Sequence, residues 1–243
     1  MTEKEHLIAQ ISSIVEDMEM DDDHNENLVT LRDTIGRIAS RGLFQSMLMG
    51  QGIDWFDHRH HMLDPSVQNR CSWVESAANP LRKLKANSTM LDICAGDAWY
   101  SRYFFVNYCT RIDCIDRGDV VSDHAKKINS HPNIKYKVAD VLTADLGENR
   151  YDMAFIRGAI EHFSKDDQVL IFKKAARALV PGGWFCGDTP LERDEKLSIH
   201  DYEWSSEDVG RELLEEAFVN VTIYSVYDHI GDRTTIFWNC QKP

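Results

Sequence analysis

The sequence has no CxxC pair, no apolar run approaching 18 residues, no basic stripe and no internal repeat. Its six cysteines, at 71, 94, 109, 114, 186 and 240, follow no signal peptide, so the chain reads as a cytoplasmic protein kept reduced. Without a long apolar run, no membrane-spanning helix is expected. Without a basic stripe, the chain lacks the field that draws in phosphate backbones, and no nucleic-acid partner is expected.

Acid is present in excess. The 243 residues carry 27 Lys plus Arg against 40 Asp plus Glu, a net charge of −13. Ten of the acids and two of the bases fall in residues 1–33, so −8 of the −13 belongs to an N-terminal appendage and −5 to all the rest. With 43% hydrophobic residues the chain can bury a sizeable core, which excludes disorder, collagen and a membrane bundle.

Apolar residues recur at helical spacing over 7–18 and again over 28–38, predicting two amphipathic helices joined by an acidic loop. They read as a cap packed on the body, with a homodimerisation hairpin as the rival. An aromatic and histidine-rich stretch follows, containing Trp55, Phe56, His58, His60 and His61. Beyond residue 80 short apolar runs at 90–94, 112–115, 134–138, 153–156 and 184–186 alternate with helical stretches, the clearest at 168–179. A helix over 206–217 precedes two longer runs, 219–226 and 234–240. Strands alternating with helices imply a doubly wound, mostly parallel sheet, here of seven strands. Two closing strands with no helix between them imply an antiparallel edge hairpin. The expected division is a helical cap and lid over 1–80 and an α/β domain over 81–243.

In such sheets ligands bind beyond the carboxyl ends of the strands. The first strand ends near Asp92 and the second at Asp116, an acid placed to accept hydrogen bonds from both hydroxyls of a ribose. A nucleoside-containing cofactor is therefore expected. A dinucleotide site wants GxGxxG, and the corresponding positions are Cys94, Gly96 and Trp99, one match in three. That disfavours a NAD-dependent reductase, whereas a cofactor with no phosphate to cradle needs fewer glycines.

Leu91-Asp92-Ile93-Cys94-Ala95-Gly96-Asp97-Ala98 resembles the first motif of the class I S-adenosylmethionine-dependent methyltransferases. Ala139-Asp140-Val141 resembles their third-strand motif, Tyr151 through the Glu161-His162 ending their fourth, and Leu179-Val180-Pro181-Gly182-Gly183 the entry to their fifth strand. The resemblance implies a Rossmann-like fold and S-adenosylmethionine as cofactor, with S-adenosylhomocysteine as product. It places Arg70, Asp92, Cys94, Ala95, Gly96, Asp116, Arg117, Asp140, Val141 and Arg157 around that cofactor. The nearest subgroup is that of the ubiquinone-biosynthesis O-methyltransferases and related small-molecule enzymes. Their tryptophan segment followed by a carboxylate-binding arginine is matched by Trp55-Phe56-Asp57 and Arg70, with Arg59 as substitute. Cys94 and Ala98 stand where the family has glycine, and the worn motif admits a second reading, a non-catalytic methyltransferase-like partner subunit.

Methyl transfer draws most of its rate from holding the nucleophile close and in line, and needs a base only when the acceptor must lose a proton. His162, at the mouth of the site, is the candidate base, since histidine is the residue type used for proton transfer near neutral pH; the competing reading is a helix-start histidine bonded to backbone. Glu161 orients His162, or with it binds a divalent ion as in some relatives, or is a solvated cap. No metal site is assigned, since His60 and His61 are adjacent and point apart. Trp55, Phe56, His58, His60 and His61 form either a lid or a seam between cap and body. His200, Tyr202 and Trp204 occupy loop positions where substrate contacts are expected. The sequence lacks the Asp/Asn-Pro-Pro-Tyr/Phe turn of base-methylating enzymes and any Pro-Cys pair. A small molecule or glycan, methylated on oxygen or nitrogen, remains as the acceptor.

Overall fold

The computed structural model describes residues 70–193 and 199–243, together with six isolated helical positions, Ala9, Ser12, Ser13, Thr30, Leu31 and Ile35. The remainder of the expected helices at 7–18 and 28–38, and the stretch from Trp55 to His61, lie outside the described residues. The chain divides into two compact units, Met1–Val67 and Gln68–Pro243. The second opens with helix α1 (Arg70–Leu81), which packs on strands of the sheet, so the unit begins before the position expected near residue 81.

Seven strands make one sheet: β1 (Ser88–Ile93), β2 (Cys109–Asp116), β3 (Ile134–Val138), β4 (Tyr151–Arg157), β5 (Leu179–Pro190), β6 (Val219–Asp228) and β7 (Arg233–Gln241). Their order is β3-β2-β1-β4-β5-β7-β6. The pairs β3/β2, β2/β1, β1/β4 and β4/β5 are parallel, and β7 runs antiparallel to both β5 and β6. The expected closing hairpin is present, with its second strand inserted against β5. Strand order reverses between β1 and β4, which opens a crevice at their carboxyl ends.

The helices form where pattern and caps agree. In α2 (Asp119–Ile128), Val121, Ser122 and Ala125 face inward and Lys126 and Lys127 close the last turn, complementing the helix dipole. In α3 (Lys165–Ala178), Gln168, Ile171, Phe172, Ala175, Ala176 and Ala178 are buried at helical spacing, and the Ser164 hydroxyl accepts the Asp167 N–H. In α4 (Glu207–Glu215), Ser206 caps and Leu213 and Leu214 are buried. Phe172, Phe185, Trp204 and Trp238 form the centre of one core layer, with Phe172 and Trp238 ring centroids 6.4 Å apart. Phe105 and Phe155 pack at 5.3 Å elsewhere in the core.

The helix predicted over 168–179 ends at Ala178, and Pro181-Gly182-Gly183 does not separate it from the strand. Tyr151 pairs with Leu179 and Met153 with Trp184, so residues 180–183 are a bulge within β5.

Candidate functional site

The parallel ladder places Asp92 opposite Cys114 and Ile93 opposite Ile115, so the chain leaving β1 runs beside the end of β2. The turn there uses left-handed backbone at Cys94 (φ 55°), Gly96 (φ 54°) and Ala98 (φ 55°). The two residues that replace glycine thus adopt a conformation glycine takes without penalty. Asp116, last in β2, accepts the Gly96 N–H on Oδ2 and the Gly118 N–H on Oδ1, each at 2.9 Å. Each carboxylate oxygen keeps acceptor capacity beyond those bonds. A Cβ built on Gly96 would meet nothing within 4 Å, so the backbone beside Asp116 borders open space.

The end of β3 joins this group. Asp116 O accepts the Ala139 N–H at 2.8 Å, and Asp140, exposed, folds Oδ1 onto the Leu142 N–H while Val141 is buried. Gly96, Asp116, Asp140 and Val141 therefore come together at the carboxyl ends of β1, β2 and β3. Ala95 is half-buried, held by its N–H on Ile115 O, and Arg117 is exposed. Asp92 is not open to a ligand: it is buried, with Oδ2 accepting from the Ser101 hydroxyl at 2.5 Å. Burial pushes its carboxyl up to about 7, aided by the nearby Asp116 and Asp97 charges. It ties β1 to a π-helical turn at Ser101–Phe105, an element periodicity did not reveal.

Arg157 ends β4 opposite Asp188 of β5. Its guanidinium lies over the Tyr100 ring at 5.1 Å and the Trp73 ring at 5.5 Å. Asp188 is buried, and burial pushes its carboxyl up to about 7 against the pull of Arg157. The sequence did not signal this pairing, because it depends on the β4/β5 register. Arg70 is the first residue of α1.

On the other side of the β4 end, a 3₁₀ turn at Ile160–His162 carries the two predicted catalytic residues. Glu161 is buried, and one of its oxygens accepts from Thr189 Oγ1 at 3.2 Å. Its backbone carbonyl accepts the N–H groups of Asp201 and Tyr202, which binds the segment after β5 to this turn. His162 is exposed, its Nδ1 2.9 Å from Ile199 O. His200 is buried, its Nδ1 hydrogen-bonded to the buried carboxylate of Glu203. The two imidazoles meet edge to face at 4.9 Å. Tyr202 is half-buried, with its carbonyl accepting from Gln168 Nε2. Trp204 corrects the sequence expectation: it is fully buried, donates Nε1–H to Gln168 Oε1, and packs 5.0 Å from Trp238. A large aromatic ring in a short connection looks like a ligand contact, but here α3 and α4 enclose it. Trp55, Phe56, His58, His60 and His61 lie outside the described residues.

A methyltransferase-domain family model matches residues 90–183, which span β1 through the bulge of β5. The chain is 28% identical over 102 residues to the phosphoethanolamine N-methyltransferase of Plasmodium falciparum, a match covering 42% of this chain and 38% of that one. It is 28% identical over 126 residues to the alpha N-terminal protein methyltransferase 1 of Caenorhabditis elegans, covering 51% and 54%. The chain thus spans about half or less of the curated relatives it matches. Among solved structures, N-methyltransferase NodS from Bradyrhizobium japonicum in complex with S-adenosyl-L-homocysteine superposes with a TM-score of 0.58 at 16% identity, covering 74% of this chain and 89% of that one.

Proposed function

We propose that this chain, whose residues 90–183 are a class I S-adenosylmethionine-dependent methyltransferase domain by family match and fold, transfers a methyl group to an oxygen or nitrogen of a small metabolite or sugar. The observation that carries the reading is Asp116. Two backbone N–H groups fix its carboxylate next to the open space at Gly96, where it presents acceptors suited to a ribose diol. Asp140 and Val141 border the same end of the sheet, on the side expected to meet an adenine ring. Cys94, Ala95 and Gly96 supply the turn expected beneath the amino-acid moiety, with Arg70 as the carboxylate clamp. Arg117 and Arg157 flank this region, the latter held by its aromatic neighbours. Asp92 supports the turn through Ser101. The cofactor supplies an electrophilic methyl group on a sulfonium centre. The protein's task is then to hold both partners in line and, for a hydroxyl acceptor, to remove a proton.

His162 is suited to that last role. Its Nδ1 engages Ile199 O, which leaves Nε2 with the lone pair on an exposed ring. Glu161, buried beneath it, fixes the turn through Thr189 and the 201–202 backbone. His200 and Tyr202 stand as acceptor contacts on the same side. A cytoplasmic setting and a homodimer through the N-terminal helices complete the proposal. The rival reading as a non-catalytic subunit loses its main support, since Cys94 and Ala98 take the left-handed conformations that glycine would.

Calorimetric titration with S-adenosylhomocysteine tests the cofactor placement. Asp116→Ala is expected to weaken binding tenfold or more, as loss of a charged hydrogen-bond acceptor should; undiminished affinity would overturn it. His162→Ala should lose turnover on a hydroxyl acceptor while keeping cofactor affinity, and normal turnover would remove the base.

A further inference from the structure

We infer that the methyl acceptor is an anion, and that Arg233 holds its carboxylate or phosphate group at the carboxyl end of the parallel strands. The acceptor role rests on the function proposed above; the anion site stands on its own geometry.

Register places the residue. Leu191 donates its N–H to Thr234 O at 3.0 Å, so β7 starts beside the point where β5 ends. Arg157 lies opposite Asp188, and Asp188 opposite Phe237. Arg233, an even number of residues before Phe237 on the same strand, shares their face of the pleat. On that face Asn239 donates to Asn79 of α1 at 3.1 Å. Glu161, bound to Thr189 of β5, stands at the same end of the sheet.

The second observation is that this guanidinium lacks the partner its position offers. The residue directly across the hairpin is Asp228, an opposite charge at pairing distance in most sheets. Asp228 is turned away instead: its Oδ1 accepts the Ile230 and Gly231 N–H groups at 3.0 Å, and its Oδ2 the Cys71 N–H at 3.3 Å. Arg82, Arg111 and Arg177 each reach a carboxylate. Arg233 reaches none among the described residues, and its Nε–H is buried there without a hydrogen-bond acceptor. A buried donor left without a bond is costly, and the bond it lacks is one a ligand can supply. The ligand that fits is an oxyanion, since Nε and a terminal nitrogen form the fork from which a carboxylate or phosphate accepts two bonds.

The third is the charge around it. Burial is the largest disturbance of the Arg233 charge; Glu161 and Asp188 compensate in part, while Arg193 and Arg157 add repulsion. Burial raises the Asp188 carboxyl to about 7, so it keeps its proton part of the time near neutral pH, and the three guanidiniums outweigh the two carboxyls. In a chain of net charge −13, a local positive field draws an anion to this end of the sheet. An acceptor anchored there by one end has its oxygen or nitrogen held still for in-line transfer.

The sequence did not signal Arg233, which reads as a polar residue opening the last strand until β7 is seen inserted against β5.

The test is titration of the full chain with inorganic phosphate, followed by phosphorus nuclear magnetic resonance, and with acetate, followed by its proton signal. Both are done at constant ionic strength with excess S-adenosylhomocysteine. One saturable site for at least one of the two anions is expected, with Kd on the order of 1 mM, as suits so small a ligand. Arg233→Met should weaken it by about tenfold or more, and Arg233→Lys less, because lysine keeps the charge and loses the fork. An arginine that only supported the fold would destabilise the chain when replaced; Arg233→Met should leave the urea midpoint unchanged or raised, since it removes an unpartnered donor. S-adenosylhomocysteine affinity should be unchanged in the variant. A matching loss there would make Arg233 a clamp for the cofactor's own carboxylate and overturn the acceptor role. Labelled methyl groups, offered a mixed small-molecule cell extract, should enter compounds retained on an anion exchanger, and label confined to the flow-through overturns that role too. Absence of a saturable site, or binding unchanged in Arg233→Met, overturns the anion site. Failure of the wild-type chain to bind S-adenosylhomocysteine, while anion binding still depends on Arg233, overturns the functional reading and leaves the anion site intact.

Discussion

At Gly96 two consequences of one residue can be separated. Its φ of 54° penalises any side chain, yet an added Cβ meets no atom within 4 Å. Gly96→Ala should therefore lower stability by only about 1 kcal/mol, the cost of left-handed backbone, read by chemical denaturation. The methyl group would project into the space assigned to the cofactor, so S-adenosylhomocysteine affinity should fall tenfold or more. A large stability loss with unchanged affinity would contradict that assignment. Asp92 governs a pH dependence. Its carboxyl, ordinarily near 3.8, is raised to about 7, so the folded chain retains a proton that the unfolded chain releases. The stability this contributes is complete below pH 4 and is lost as pH rises through 7. The denaturation midpoint of the wild type should decline between about pH 4 and pH 7, and Asp92→Asn should lessen the decline, because an amide never ionises and can still accept from Ser101, while Asp188, raised likewise to about 7, supplies the rest. An unchanged slope in the variant would assign the effect elsewhere.

Among elements, β5 is the most constrained. A Cβ on Gly187 would lie 2.2 Å from Trp238 Cζ2 and 2.5 Å from Ile156 O, and neither β4 nor β7 can move away independently. Gly187→Ala should cost at least about 2 kcal/mol, measured by urea denaturation. At the start of α3, Ser164→Ala should cost about 1 kcal/mol through loss of the bond to the Asp167 N–H. These elements also show what a linear reading can reach. The strands were legible because each is a short apolar run, and α3 and α4 because their caps and inward positions obey one period. The bulge at 180–183 was not, since only pairing with Tyr151 and Met153 reveals that the strand continues through Pro181. The acid at Asp116 was legible from its distance beyond Asp92. The meeting of Arg157 with Asp188, and of His162 with His200, was not, because strand register and a folded connection create them. Trp204 misled because an aromatic side chain has the same appearance in a core as in a cleft.

At the scale of the molecule, Gln68–Pro243 holds the seven strands of the sheet, the helices α1 to α4, and Gly96, Gly118 and Ala139, whose N–H groups bond to Asp116. Residues 68–243 produced alone should give a cooperative thermal transition by circular dichroism, and a non-cooperative melt would mean that the preceding 67 residues are needed for the sheet to form. Most of the acidity would leave with the removed segment, since −8 of the −13 lies in residues 1–33. The arrangement β5-β7-β6 has a temporal corollary. During synthesis β6 leaves the ribosome before β7, yet among the described residues β7 is its partner in the sheet and also what joins it to β5. The nascent protein therefore passes through an interval in which an unpaired strand waits beside an open β5 edge, the state in which chains of this topology are most exposed to mispairing and to chaperone capture.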